Sequence, residues 1–139
     1  MLAGRELSEA QLRDRLARRG HDERAVEAAL GRLRAEHAVD DRRAADAIAR
    51  GESAAGRRSR SGAQRRIERA GIASATARRA AEEAYAGVDA AALLEAAIAR
   101  RLRGRTRLAD ERELQRLYRY LVAHGFDPDE VIRALDRVR

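Results

Sequence analysis

Alanine dominates the apolar content of this 139-residue chain and limits the kind of core that it can build. Thirty-two residues are Ala, whereas Leu, Ile, Val and Phe together number only 26. So few large apolar side chains argue against one deep core, but Ala is the strongest helix former and lets helices pack closely. The composition therefore predicts an all-α, elongated array of helices joined through thin apolar seams.

A glycine-centred pattern occurs three times and predicts a tandem repeat. The copies are residues 16–21, 67–72 and 121–126, which align on Gly20, Gly71 and Gly125. Each copy reads as a helix end, a glycine in the left-handed conformation and a second helix with matching apolar positions. The glycines lie 51 and 54 residues apart, a spacing that fits three helices per repeat, with the last repeat truncated. The predicted repeats are residues 1–55, 56–107 and 108–139.

Capping residues give the expected helix starts, since their side chains accept hydrogen bonds from the free amides of the first turn. Ser8 is expected to cap the first helix, with Leu7 packing on Leu12. The later expected caps are Asp22, the pair Asp40 and Asp41, Asp89, Asp110 in a capping box with Glu113, and Asp127 before Pro128.

The middle of the chain offers little to bury. Residues 51–62 are rich in Gly and Ser and predict a linker, and between residues 49 and 84 the only large apolar side chains are Ile67 and Ile72. Hydrophobic stabilisation scales with buried apolar area, so residues 59–84 are predicted to be the least stable part of the protein.

The net charge of +7 is concentrated in one region. All 30 basic residues are Arg, and residues 56–107 carry a net +8, whereas residues 1–55 are neutral and residues 108–139 carry −1. Arg grips phosphates and carboxylates through two parallel hydrogen bonds, and a localised positive potential steers anions to it. An Arg-rich coding bias with a solvated face is the alternative, but such a bias would not remove acids from the middle alone. The predicted partner-binding residues are Arg57, Arg58, Arg60, Arg65, Arg66, Arg69, Arg78, Arg79, Arg100, Arg101, Arg103, Arg105 and Arg107.

The sequence contains no recognisable pattern of catalytic residues. Cysteine is absent, and His21, His37 and His124 show no metal-binding spacing. No nucleophile elbow, phosphate-binding loop or dinucleotide fingerprint occurs, so we expect a non-enzyme without cofactor or metal. Tyr120 is interpreted either as an exposed partner contact or as a residue that packs against the next repeat. Membrane association is not expected, since no apolar run approaches the roughly 18 residues of a membrane span.

Taken in order, these segments resemble the RecX family of bacterial recombinase regulators. Residues 12–20 are similar to the family's opening ELxxKLxxKG run, and RLYRYLVAHGF at 116–126 is similar to its RLYRFLxRRGF segment. The other matching segments are 25–33, 39–43 and 131–135. The sequence departs from the family pattern at Ala44, at Ser59–Arg60 and at Ala90, which lie in or beside the thinly packed middle.

The resemblance implies a fold of three tandem three-helix repeats and an inhibitor of RecA in recombinational repair and the SOS response. We also expect the protein to be cytoplasmic and monomeric. Such a protein would bind along the RecA filament on single-stranded DNA and limit ATP turnover and strand exchange, with direct DNA contact as a further expectation. Two other functions stay open at this point. One is a general helical DNA-binding protein, and the other is a protein-scaffolding helical repeat in which the Arg excess is incidental.

Overall fold

The structure is a computed structural model that describes residues 9–139. This range contains seven α-helices and no strand, which confirms the all-α prediction. The helices are α1 Glu9–Arg18, α2 Glu23–Ala55, α3 Arg60–Arg69, α4 Ser74–Ala84, α5 Ala90–Leu102, α6 Glu111–Ala123 and α7 Pro128–Asp136. The predicted cap Ser8 and its neighbour Leu7 lie outside the described residues. None of the described helices combines the length and apolarity needed to cross a membrane.

The chain divides into two compact units with the boundary between Ala44 and Ala45, inside α2. In the first unit, Asp22 caps α2 as predicted by accepting a hydrogen bond from the Ala25 amide at 2.7 Å. Val26 and Leu30 are buried there. Arg13 of α1 forms an ion pair with Glu27 of α2, which connects the two helices of this unit.

The three repeated glycines adopt the left-handed conformation that the sequence pattern predicts, with φ of 84° at Gly20, 90° at Gly71 and 96° at Gly125. In the first and third turns, the residue after the glycine donates its amide to the carbonyl five residues before it: His21 N donates to Leu16 O and Phe126 N donates to Leu121 O. These bonds satisfy carbonyls that a helix end otherwise leaves free. What repeats along the chain is therefore a helix end that is followed by a left-handed glycine.

The predicted helix start at Asp40 and Asp41 is wrong, because α2 continues without interruption from Glu23 to Ala55. No Gly or Pro lies between Gly31 and Gly51, and four Ala residues follow Asp41 within eight positions. Strong helix formers on both sides make continuation more favourable than a cap at the acidic pair.

The predicted linker over residues 51–62 is also wrong, since only residues 56–59 separate α2 from α3. Polar side chains hold the end of α2 in place. Ser53 Oγ donates to Ala84 O at 3.1 Å, and Arg100 donates to Ala55 O at 2.8 Å, which satisfies a carbonyl in the last turn of α2.

Within the second unit, α3 and α4 pack through small side chains. Ala63, Ala77 and Ala81 are fully buried, and Ile67 is the one fully buried large residue of the pair. Tyr85, directly after α4, closes this seam and donates from its hydroxyl to Arg58 O at 3.0 Å. Burial, together with nearby Glu52, raises the pKa of Tyr85 to about 12, so the hydroxyl stays protonated and available as a donor.

The larger apolar core of the second unit joins α5, α6 and α7. Asp89, Asp110 and Asp127 cap these helices as predicted. The buried side chains are Leu94, Ala97, Ile98, Leu102, Leu117, Leu121, Phe126, Val131, Ala134 and Leu135. Because α5 packs on α6 and α7, its large side chains contribute to this core.

A close backbone contact connects the α3–α4 pair to this core. Ser59 N donates to His124 O at 3.1 Å, and Gly62 lies against His124 and Gly125 in the turn between α6 and α7. A Cβ placed on Gly62 would overlap the His124 carbonyl, so only glycine permits this approach.

Candidate partner-binding surface

The α3 helix carries three of the predicted arginines that stay free. Ser59 caps α3 by accepting from the Gly62 amide, which fixes the start of the helix. Arg60, Arg65 and Arg69 are exposed and form no ion pair or side-chain hydrogen bond with the described residues. Arg65 and Arg69 stand four positions apart and therefore lie on one face of α3.

Two neighbouring arginines instead share one carboxylate within the protein. The Arg58 guanidinium lies 3.3 Å from one carboxylate oxygen of Glu52, and the Arg66 guanidinium lies 2.8 Å from the other. The Glu52 side chain is only 15% exposed, so this bridge is shielded from solvent more than an ordinary surface pair. Arg58 and Arg66 thus hold the end of α2 against α3, and we assign them a structural role.

The α4 arginines are paired only weakly. Arg78 lies 4.0 Å from Glu82 and Arg79 lies 3.7 Å from Glu83, in both cases one turn apart on an exposed helix face. Such pairs contribute about 0.3–0.5 kcal/mol and are readily exchanged for an external anion. Arg78 and Arg79 therefore remain accessible to a partner.

Most arginines at the end of α5 and after it serve the fold. Arg105 forms a bidentate pair with Glu113, and this contact, with a bond from the Ala109 amide, lowers the pKa of Glu113 to about 2. Arg107 reaches Arg139 O at 3.5 Å. Arg100 holds the end of α2, as described above, whereas Arg103 ends α5 with a left-handed φ of 51° and is exposed.

Arg101 and Tyr120 form a cation–π contact. Tyr120 therefore packs against a neighbouring helix and is not an exposed partner contact. The Arg101 guanidinium carbon lies 4.1 Å from the centre of the Tyr120 ring. The His124 ring lies 4.0 Å away, and its Nδ1 is 2.8 Å from Tyr120 O. Tyr120 is half-buried and packs between α5 and the α6–α7 turn, so it organises this corner of the second unit.

The thirteen predicted residues thus separate into two groups. Eight have partners within the protein, two of them only through weak surface pairs. The five without a partner among the described residues are Arg57, Arg60, Arg65, Arg69 and Arg103.

Summing charge by region missed a second arginine surface, on α6. Arg112, Arg116 and Arg119 are exposed and lie at positions i, i+4 and i+7, on the side of α6 opposite buried Leu117 and Leu121. None of the three forms an ion pair or side-chain hydrogen bond with the described part of the chain. The balanced total for residues 108–139 hides them, because five of the seven acids of this region act as caps or pair with other arginines. Helical periodicity applied to the arginines alone would have found them.

The second unit contains a cavity beside the α5–α7 core. A cavity of about 300 Å³ between α5 and α7 is lined mainly by apolar side chains, including Ile98, Leu102 and Val138. The Glu95–Arg137 ion pair, at 3.2 Å, stands at its rim. Among residues 9–139, no three His, Asp or Glu side chains gather as a metal site would require.

Comparisons with known proteins identify the family. A family model described as "RecX, first three-helix domain" matches residues 1–33, and one described as "RecX, third three-helix domain" matches residues 88–135. The second match covers the region of α5, α6 and α7, which pack together here. The chain is 34% identical over 127 residues to the regulatory protein RecX of Syntrophotalea carbinolica, covering 91% of this chain and 83% of that protein. No solved structure matches the chain.

Proposed function

The chain belongs to the RecX family of regulatory proteins, and we propose that it regulates RecA by binding along the RecA filament on single-stranded DNA. In this proposal it acts without catalysis of its own in the cytoplasm. It limits ATP turnover and strand exchange, as an inhibitor in recombinational repair and the SOS response.

The free arginines of α3 carry the binding part of this proposal. Arg60, Arg65 and Arg69 are exposed, unpaired among the described residues and fixed on a capped helix. A filament of protein on DNA presents acidic side chains and phosphates, and both are bound by the forked guanidinium group. Arg57 and Arg103 extend this set, and Arg78 and Arg79 join it when their surface pairs exchange.

Pairing within the protein reduces the number of arginines that are available to a partner below the thirteen predicted from the sequence. Removing Arg58, Arg66 or Arg105 would disturb the fold before it tested binding, because these side chains hold α2 and α6 in place. A variant that replaces Arg60, Arg65 and Arg69 with Gln keeps those contacts and removes only free charge. We call it the α3 variant.

A matched control is available in the first unit. Arg32, Arg42 and Arg43 are exposed on α2 and form no ion pair or side-chain hydrogen bond with the described residues. Replacing these three with Gln removes the same charge from another place. We call this the α2 control variant.

Titration against a RecA-coated single strand tests the proposal. We expect the α3 variant to bind about tenfold more weakly than the unmodified protein, since three exposed charge pairs of roughly 0.5 kcal/mol each sum to a tenfold change in affinity. The α2 control variant is expected to bind normally. Equal affinity of the α3 variant and the unmodified protein at low salt would contradict the assignment of these three arginines to the binding surface.

The general DNA-binding alternative predicts a different pattern. Bare single strand, bare duplex and the RecA-coated strand would then bind with equal affinity and with the same steep salt dependence. A scaffolding role without charge recognition would show little salt response with any of the three.

A further inference from the structure

We infer that a cleft at the starts of α3, α5 and α7 receives an apolar side chain of the protein partner, flanked on that partner by an acidic and a basic residue. We call it the three-helix cleft. The inference rests on the proposed function, since RecA is the partner there, and it adds an apolar contact to the charged contacts of the α3 arginines.

The three-helix cleft has an apolar interior that the fold keeps in place. Its volume is about 420 Å³, and its apolar lining consists of Tyr85, Val88, Leu93 and Phe126. Tyr85 and Phe126 are buried, and the Tyr85 hydroxyl is fixed by its hydrogen bond to Arg58 O. Pockets of this size accommodate ligands larger than a single side chain, so a bulky apolar side chain fits the cleft.

Val88 leaves apolar surface exposed in this cleft. It is 40% exposed, and the other large apolar side chains that are exposed among the described residues, Val39 and Ile132, do not line the cleft. A single apolar side chain on an open surface is ordinary, but here it lies in a concavity with two buried aromatic rings. Protein interfaces place their strongest contacts in such pockets, where an anchor side chain is shielded from water by a polar rim.

The rim of the cleft carries two unpaired charges of opposite sign. Arg60 and Glu130 both line it, both are exposed, and neither forms an ion pair or side-chain hydrogen bond with the described residues. The carboxylate of Asp127 lies at the same rim but caps α7. A complementary partner therefore presents an acidic group to Arg60 and a basic group to Glu130.

This charge pattern favours a protein partner over a nucleic acid. A phosphate backbone is uniformly negative, and the carboxylates of Asp127 and Glu130 would repel it. A protein surface can supply an apolar side chain between charges of both signs. Because Arg60 is also one of the free arginines of α3, the cleft continues the surface that we propose for RecA.

Binding of the full chain to a RecA-coated single strand tests the apolar contact. Val88→Ser is expected to bind roughly threefold to tenfold more weakly, since the valine loses the burial that the partner provides. The slope of log K against log salt should stay that of the unmodified protein, because the lost contact carries no charge. Val39→Ser makes the same substitution at a 50% exposed valine of α2 and should bind normally. Circular dichroism checks that both variants are folded.

Glu130→Gln tests the class of partner in the same titration. It removes an unpaired carboxylate, so weaker binding supports a partner that presents a basic group to the cleft. Unchanged binding would overturn that part of the inference. Tighter binding would overturn it in favour of a phosphate backbone, which this carboxylate repels.

The α3 variant separates failure of this inference from failure of the proposed function. If the α3 variant binds weakly while Val88→Ser binds like the unmodified protein, the cleft takes no apolar anchor and the proposed function stands. An equal loss in Val88→Ser and Val39→Ser also overturns the inference. If the unmodified protein does not bind the RecA-coated strand, the proposed function and the inference are both wrong.

Discussion

The α3–α4 pair and the α5–α7 bundle belong to the same compact unit but are stabilised in different ways. The bundle buries Leu, Ile, Val and Phe side chains in one cluster. The α3–α4 pair buries mostly Ala and depends on polar contacts with its surroundings: the Glu52 bridges, the Tyr85 hydroxyl and the close approach of Gly62 to the α6–α7 turn. A region poor in large apolar residues can therefore be ordered by its attachments.

The two regions also use arginine differently. The arginines in and around α3 are numerous, but several of them pair with a carboxylate or donate to a carbonyl at a helix end. On α6 only three are present on the outer face, but all three remain available. Availability for a partner is thus decided by intramolecular pairing rather than by the local number of charges.

The largest effect on stability is expected in the bundle. Leu121→Ala removes a fully buried side chain from the main core and should lower the free energy of unfolding by about 2–5 kcal/mol. Denaturant unfolding measures this loss. Leu114→Ala, at a half-buried position of the same helix, serves as the control and should cost clearly less. Equal losses at the two positions would contradict the placement of the core.

A glycine substitution tests how the α3–α4 pair is attached to the α6–α7 turn. Gly62→Ala forces a methyl group against the His124 carbonyl and should cost about 1–3 kcal/mol, although Ala is the better helix former. Gly51→Ala, also inside a helix but facing open space, should instead stabilise the protein by up to about 1 kcal/mol. Thermal unfolding of both variants decides the point, and a neutral Gly62→Ala would argue against the close contact.

Hydrogen exchange compares the two regions directly. Residues 59–84 remain predicted to be the least stable part, because their attachments are polar and their apolar seam is thin. Amides of α3 and α4 should exchange faster than those of α6 and α7 under native conditions. Equal protection in the two regions would show that the attachments make them a single cooperative unit.

The smallest effect concerns the pH dependence of the bundle. The pKa of Glu113 is lowered from 4.5 to about 2, so its carboxylate favours the folded state fully above pH 4.5 and loses this effect as the pH falls toward 2. Glu113→Gln should be less stable than the unmodified protein at pH 6, with the gap narrowing between pH 4.5 and 2. A gap in melting temperature that does not change with pH would contradict the Arg105–Glu113 pairing.

Local patterns in the sequence predicted local structure well. The caps at Asp22, Asp89, Asp110 and Asp127 and the glycine turns are formed within a few residues, so their residues suffice to identify them. The predicted break at Asp40 and Asp41 is wrong because the helix formers on both sides of this pair favour a continuous helix more than the pair favours a cap. The division into residues 1–55, 56–107 and 108–139 stays a prediction.

The candidate surfaces were predicted less completely, because pairing over a distance decides which charges are free. Nothing near Arg66 in the sequence indicates that it pairs with Glu52, and nothing near Arg100 indicates that it donates to a carbonyl at the end of α2. The arginine surface of α6 was missed for the opposite reason: its arginines balance acids in the regional total, and five of those seven acids act as caps or pair with other arginines.

RecA ATP hydrolysis on single-stranded DNA, measured with and without this protein, tests the proposed regulation most directly. We predict that the unmodified protein lowers the hydrolysis rate and that the α3 variant does so only at higher concentration, while the α2 control variant matches the unmodified protein. A rate that the unmodified protein leaves unchanged at saturating concentration would contradict the account.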